Sequence, residues 1–354
     1  MANANKKLMG YIGTYTTGES KGIYKFKLNV SNGKIEDVDL AAHIENPTYL
    51  CIDNDNKYLY SVAKSCKRGG VASFLIENST GKLKFLNSQL STGKPPCYVS
   101  IDNNRKYLFS ANYHKGNIET FPIDEDGSLK LRTSVVIHKG SGPHKNQESA
   151  HLHYVSPTPD QKNLYAIDLG CDTLSVYNIE NGILKENRKA LFKFQPGSGP
   201  RHLVVHPKLN YIYVITELTS EIVVLKYNEI NSEFEFIQKV STLPENYTES
   251  SAGGAIHISY DGKYLYASNR GHDSIAVFEI NTCSGKVKPI QYISTYGSFP
   301  RDFEIDPTGE FIVAANQNSN NIVLFKRDVE NGKLDLIDKN ISVPNPVCIK
   351  FIYE

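Results

Sequence analysis

Seven short apolar segments recur along this chain at a spacing near fifty residues, and that repeat restricts the fold more than any other feature. They read GYIGTY at 10–15, KYLYSV at 57–62, KYLFSA at 106–111, NLYAID at 163–168, YIYVIT at 211–216, KYLYAS at 263–268 and EFIVAA at 310–315. With Ile12, Leu59, Leu108, Leu164, Ile212, Leu265 and Ile312 as equivalent marks, the steps are 47, 49, 56, 48, 53 and 47 residues. A self-similar period of this size signals a repeat architecture in which each unit buries its apolar surface against its neighbours.

The punctuation inside each unit recurs as well. An apolar strand ending in a turn (CIDNDNK, SIDNNRK, SPTPDQK, VHPKLN, ISYDGK, IDPTGE) precedes each mark, and a third strand (GGVASFLI, TLSVYNI, EIVVLKY, NIVLFKR) follows it. A further turn (NSTGK, DEDGS, NTCSGK, VENGK) leads into a fourth strand. Alternating apolar residues, β-branched richness and Gly/Pro/Asn turns predict antiparallel β-structure, with no helical periodicity. The expected fold is all-β: one seven-bladed β-propeller domain over 1–354, with four antiparallel strands per blade. NPVCIKFI at 345–352 is similar to the first strand NPTYLCID at 46–53 but has no second strand behind it. The C-terminal strand is therefore expected to complete the N-terminal blade and remove two open sheet edges.

Composition narrows the function. The 39 basic and 38 acidic residues balance, so neither nucleic acid nor an anionic membrane is an expected partner. No apolar run approaches the roughly 20 residues of a spanning helix. MANANKKLMGYIG lacks an apolar leader, and the six cysteines are scattered without a CxxC pair, so reduced thiols in the cytoplasm are expected. Oligomeric state is open. The 22 tyrosines are expected to pack between blades, and the absence of tryptophan excludes repeats built on that residue.

Topology sorts the candidate site residues. If the strands of a blade are A to D, lead-ins to strand A and B–C loops share one face. The other face collects generic turns such as DNDNK and DGK. The first face gathers His151 and His153, Arg201, Glu217, Arg270, Arg301, Gln317 and Tyr113. Arg201 and Glu217, on either side of the hairpin HLVVHPKLNYIYVIT, are brought to one rim. Three arginines there suit an anionic ligand, because guanidinium binds carboxylate or phosphate bidentately. Structural readings stand beside these. Asn112, Asn269 and Asn316 serve turn geometry, Asp168 caps its loop, and His202 and His257 are core histidines. His114, His144 and His272 are solvated, and each arginine can bond carbonyls between blades. His151 and His153, two apart in HLH, are expected on the same side of a strand. That spacing suits a metal, but no third ligand is indicated and none is expected.

Taken together, YIGTYT, GKPPCYVSIDNNRKYLFSANYHKGNIETF, AHLHYVSPTPDQKNLYAIDLG, GPRHLVVHP with TELTS, IHISYDGKYLYASNRGHDSIAVF and FPRDFEIDPTGEFIVAANQNSNNIVLF resemble the lactonase-type seven-bladed propeller family over nearly the whole chain. The best-known activity of that family is 6-phosphogluconolactonase of the pentose phosphate pathway. The resemblance implies hydrolysis of a small anionic sugar lactone without cofactor. It implies His153, Arg201, Glu217 and Arg270 as the catalytic set, with His151 an alternative to His153. Arg301, Gln317 and Tyr113 would complete the sugar-phosphate pocket, and either His153 or Glu217 would be the general base. Fungal carboxymuconate-lactonising enzymes share the constellation but catalyse a cycloisomerisation; GPRH, NRGH and FPRDF favour the lactonase branch. A non-catalytic propeller that binds a ligand or protein is the third reading.

Overall fold

The computed structural model describes residues 7–228 and 231–353. These form seven four-stranded antiparallel sheets, with no helix long and apolar enough to cross a membrane. Residues 1–6 of the segment read above for a leader lie outside the described residues. In chain order the blades comprise residues 7–43 with 346–351, then 50–92, 98–137, 152–193, 200–241, 252–294 and 300–342.

Blade 1 is completed as expected: Pro346–Phe351 is its strand A and pairs antiparallel with strand B, Lys7–Thr14. A charged cluster fastens this closure. Lys350 Nζ lies 2.5 Å from Glu304 Oε2 of blade 7, and the Ile349 amide donates to Asp302 Oδ2 at 3.3 Å. His257 of blade 6 bridges Asp302 and Glu304 at 3.3 and 3.2 Å. Burial opposes its charge, but the two carboxylates outweigh burial and raise the imidazole to about 9. His257 is therefore a cation joining blades, which its alternation in strand A did not reveal.

The strand B segments are apolar on both faces because each blade is sandwiched between two others. Ile212, Tyr213, Val214 and Ile215 of YIYVIT are all buried, whereas in the outer strand Leu334–Ser342 only Leu334 is buried and the rest are half-buried or exposed. The tyrosines close the blade interfaces. The Tyr264 ring covers Gly332 in the C–D turn of the next blade, and Tyr266 Oη donates to the Gly332 carbonyl at 2.8 Å. Tyr58 over Gly127 and Tyr211 over Gly285 repeat the contact. Gly332 has φ of 74°, and an added Cβ would lie 2.2 Å from the Tyr264 ring. Gly332→Ala is expected to destabilise the protein by about 1–3 kcal/mol, from the left-handed backbone and overpacking together. Thermal denaturation checks this; an unchanged Tm would contradict the interface.

The two long repeat steps also have a location. They arise from residues 138–151 and 242–251, which link strand D of one blade to strand A of the next. Both insertions therefore lie on the face that carries the candidate site.

Candidate active site

On that face the lead-ins and B–C loops enclose a cavity of about 380 Å³, within the size range of small-molecule sites. A backbone irregularity aims the site residues into it. Strand A of blade 4, Leu152–Pro157, pairs Leu152 with Asp168 and Tyr154 with Ile167, so His153 is the unpaired residue of a bulge. In blade 5 the skipped residue is Arg201, between Pro200 and His202, and in blade 7 it is Arg301, between Pro300 and Asp302. A bulge bends the strand and redirects the extra side chain. It also undoes the expectation that His151 and His153 face the same way. His153 lines the cavity, whereas the His151 ring stacks on Tyr113 at 4.0 Å and 4° and its Nδ1 bonds the Tyr113 carbonyl at 2.8 Å.

Glu217 is the centre of the charge arrangement. Its Oε2 lies 3.1 Å from Arg201 Nε and 2.8 Å from Arg270 Nη2. Both arginines also bond backbone of blade 6: Arg201 Nη1, from the preceding blade, to the Gly254 carbonyl at 2.8 Å, and Arg270 Nη2, within its own blade, to the Gly253 carbonyl. This seat requires the glycine pair, since a Cβ on Gly254 would lie 2.3 Å from Ser268 Oγ and one on Gly253 2.4 Å from the Thr216 carbonyl. Arg201 does not line the cavity; it lies behind Glu217, with Nη1 3.3 Å from the His202 ring nitrogens. Arg270 lines it, with Phe299 5.2 Å from its guanidinium, and so does Arg301, 5.6 Å from the Tyr15 ring.

These contacts set the protonation states. Burial alone would raise the Glu217 carboxyl, but Arg270 and Arg201 overcome it and hold the group at about 2. It is an ionised counter-charge and a poor proton acceptor at neutral pH. Burial, then the Arg201 charge, push His153 well below the ordinary histidine range, so its ring is neutral. Its Nδ1 is buried without a hydrogen-bond partner. Burial and the neighbouring Arg270 and Arg301 lower Arg201 to about 9, still above neutrality.

Of the remaining candidates, Tyr113 lines the cavity and Gln317 does not; the Gln317 amide N–H donates to the Phe299 carbonyl at 3.1 Å. Asp168 caps its loop, accepting from the amides of His151, Gly170 and Cys171, and it also bonds His138 Nδ1 at 2.9 Å. Asn112 Oδ1 accepts from the His114 and Lys115 amides as a turn residue does, whereas Asn269 Nδ2 donates to the Thr242 carbonyl at 2.7 Å and so fastens the link between blades 5 and 6. His202 is buried edge-on to Tyr49 and Tyr98 and 5.1 Å from the His153 ring. His114, read as solvated, lines the cavity. Tyr15, Lys64, Lys94 and Cys97 also line it and were not singled out from sequence. Burial raises the Cys97 thiol to about 11, and its Sγ faces the Leu152 carbonyl at 3.4 Å, so it is a packing group. Among the described residues no three His, Cys, Asp or Glu side chains form a metal-holding group.

A family model described as lactonase, 7-bladed beta-propeller, matches residues 9–351. The 6-phosphogluconolactonase of Bacillus subtilis is 46% identical over 98% of this chain and 99% of its own. The crystal structure of a Lactobacillus plantarum protein superposes with a TM-score of 0.93 at 40% identity, covering 98% of this chain and 99% of that one. The Pseudomonas aeruginosa periplasmic gluconolactonase superposes with a TM-score of 0.93 at 30% identity over the same shares.

Proposed function

We infer the activity from two facts taken together: the chain belongs to the lactonase, seven-bladed β-propeller family, and one mouth of its ring sets a neutral buried imidazole beside a bank of cations. The protein is a lactone hydrolase. Its substrate is 6-phospho-D-glucono-1,5-lactone, opened to 6-phosphogluconate in the pentose phosphate pathway. The cationic mouth carries this reading, because it suits a phosphorylated sugar acid. The relatives' lactonase names favour hydrolysis over cycloisomerisation.

In this reading His153 is the general base. It takes a proton from water as the water oxygen attacks the lactone carbonyl carbon. The carbonyl oxygen, now an oxyanion, is held by the Arg270 guanidinium. Collapse of the tetrahedral intermediate breaks the bond to the ring oxygen, which receives the proton back from His153 as the departing hydroxyl. Glu217 fixes Arg270 in place, and Arg201 acts through Glu217 as a positioning residue. Arg301 and Tyr113 contact the sugar. The scheme calls for no metal or organic cofactor. We place the protein in the cytoplasm, supported by six unpaired cysteines of which Cys66 and Cys283 are exposed. The balanced charge argues against nucleic acid or membrane as a partner.

The test is hydrolysis of freshly generated 6-phosphoglucono-1,5-lactone, coupled to oxidation of the 6-phosphogluconate formed. This lactone opens spontaneously, so only acceleration over buffer counts, and its absence would overturn the reading. The pH profile gives a second check. A base must be neutral to act, and His153 is held well below its ordinary 6.5, so kcat/KM should fall only on acidification below that value. A decline that already begins in the neutral range would exclude His153 as the base.

A further inference from the structure

The cavity has two unlike halves. Blades 4 to 7 supply His153, Glu217, Arg270 and Arg301, which the reaction scheme uses. The opposite side carries Lys64, near the end of strand B of blade 2 (Tyr58–Ser65), and Lys94, in the link between blades 2 and 3. The scheme assigns these two ammonium groups nothing. A neutral lactone ring would gain little from them, because the arginine half already supplies the oxyanion donor.

The two lysines are held differently. The Lys64 backbone amide donates to the Glu45 carbonyl at 2.9 Å, and its ammonium is paired with the Glu45 carboxylate. This fixes the side chain at the edge of the cavity and offsets part of its charge. Lys94 is exposed and precedes the stiff Pro95–Pro96 step, and its carbonyl accepts from Asn112 Nδ2 at 3.0 Å. Among the described residues no carboxylate lies within ion-pair distance of its ammonium. The backbone of Lys94 is thus fixed by blade 3 while its charge is free. Across from it Glu217, the one carboxylate lining the cavity among the described residues, is engaged by two guanidiniums.

A sugar lactone phosphorylated at the carbon farthest from its carbonyl has the same bipolar layout: a reacting carbonyl at one end and a dianion at the other. With the carbonyl at His153 and Arg270, the phosphate falls toward the unused half. Lysine suits this task, because it is a compact point charge on a flexible stem and can follow a phosphate without the bidentate geometry that fixes a reacting group. We propose that Lys94 and Lys64 form a phosphate anchor that sets the preference for phosphorylated over unphosphorylated sugar lactones, with Glu45 moderating its strength. The proposal rests on the lactonase reading above.

The test compares kcat/KM for 6-phosphoglucono-1,5-lactone and for glucono-1,5-lactone, both corrected for spontaneous opening, in wild type and in Lys94→Gln, Lys64→Gln, Lys94→Arg and Glu45→Gln. The phosphorylated-to-unphosphorylated ratio should fall on the order of tenfold to a hundredfold in each glutamine variant of a lysine, chiefly through KM. Lys94→Arg should restore most of it. Glu45→Gln, which releases Lys64 from its counter-charge, should raise the ratio. Inorganic phosphate should compete with the phosphorylated lactone in wild type and lose that effect in the double lysine variant. Circular dichroism establishes that each variant is folded. An unchanged ratio in both lysine variants, with wild type active, overturns the anchor and leaves the lactonase reading standing. Wild type that accelerates neither lactone overturns both.

Discussion

His153→Gln is expected to lower kcat/KM for the phosphorylated lactone by about 10²–10⁴-fold, the usual contribution of a positioned general base. The folded spectrum and Tm should stay close to those of wild type. The physical ground is the bulge. His153 is skipped by the ladder between strands A and B of blade 4, so its side chain is not needed for register. Its Nδ1 has no hydrogen-bond partner, so substitution there strands no buried donor or acceptor. Burial and Arg201 keep the ring neutral, ready to accept a proton. Glutamine retains polarity and approximate volume but cannot accept a proton at neutral pH. A loss confined to kcat/KM with stability retained separates a chemical role from a structural one. Near-wild-type turnover would remove His153 from the reaction.

Glu217→Gln is expected to damage both stability and turnover. The Arg201 and Arg270 side chains are only 3% and 5% exposed, and the substitution would leave both charges buried without their counter-ion. Breaking a buried pair in this way costs about 3–5 kcal/mol. The pH dependence identifies the cause. The Glu217 carboxyl is lowered from 4.5 to about 2 in the folded protein, so its stabilisation is fully present above 4.5 and lost as pH falls toward 2. The stability difference between wild type and variant, measured by urea unfolding, should be largest at neutral pH and shrink on acidification through that window. A difference independent of pH would point to packing instead. Turnover should fall as well, because the guanidinium proposed to meet the oxyanion loses the carboxylate that aims it.

Much of this was legible in the chain because the propeller repeats its inner strands. A strand sandwiched between two sheets must be apolar on both faces, so YIYVIT and KYLYAS stand out whatever surrounds them. The closure of blade 1 was legible for the same reason, since NPVCIKFI is similar to a first strand without a second. The meeting of Arg201 with Glu217 followed from topology, as both ends of one hairpin reach a common edge. What escaped notice depends on local backbone or on distant partners. The bulge at His153 inverted the alternation that made His151 and His153 look equivalent. Gln317 sits in the right kind of loop, but loop position does not determine the direction of a side chain. Lys64 and Lys94 lie in AKSCK and TGKPPC, which look like ordinary surface polarity until the ring places them around one cavity. The seat at Gly253 and Gly254 left a trace that could have been read: two glycines where neighbouring blades carry larger residues, a sign of close backbone approach. The cationic His257 left none, because the carboxylates that charge it, Asp302 and Glu304, reach it from the next blade.

The most direct test of the account is which mouth of the ring takes the ligand. 6-Phosphogluconate, the product, can be titrated into protein carrying ¹³C-labelled histidine while the ring resonances are followed by NMR. His153 and His114 line the proposed cavity, while His257 lines a separate cavity with Tyr154, Glu304 and Lys350. The account predicts that the His153 and His114 resonances move with saturation while His257 holds still. Movement of His257 with His153 and His114 unperturbed would contradict it.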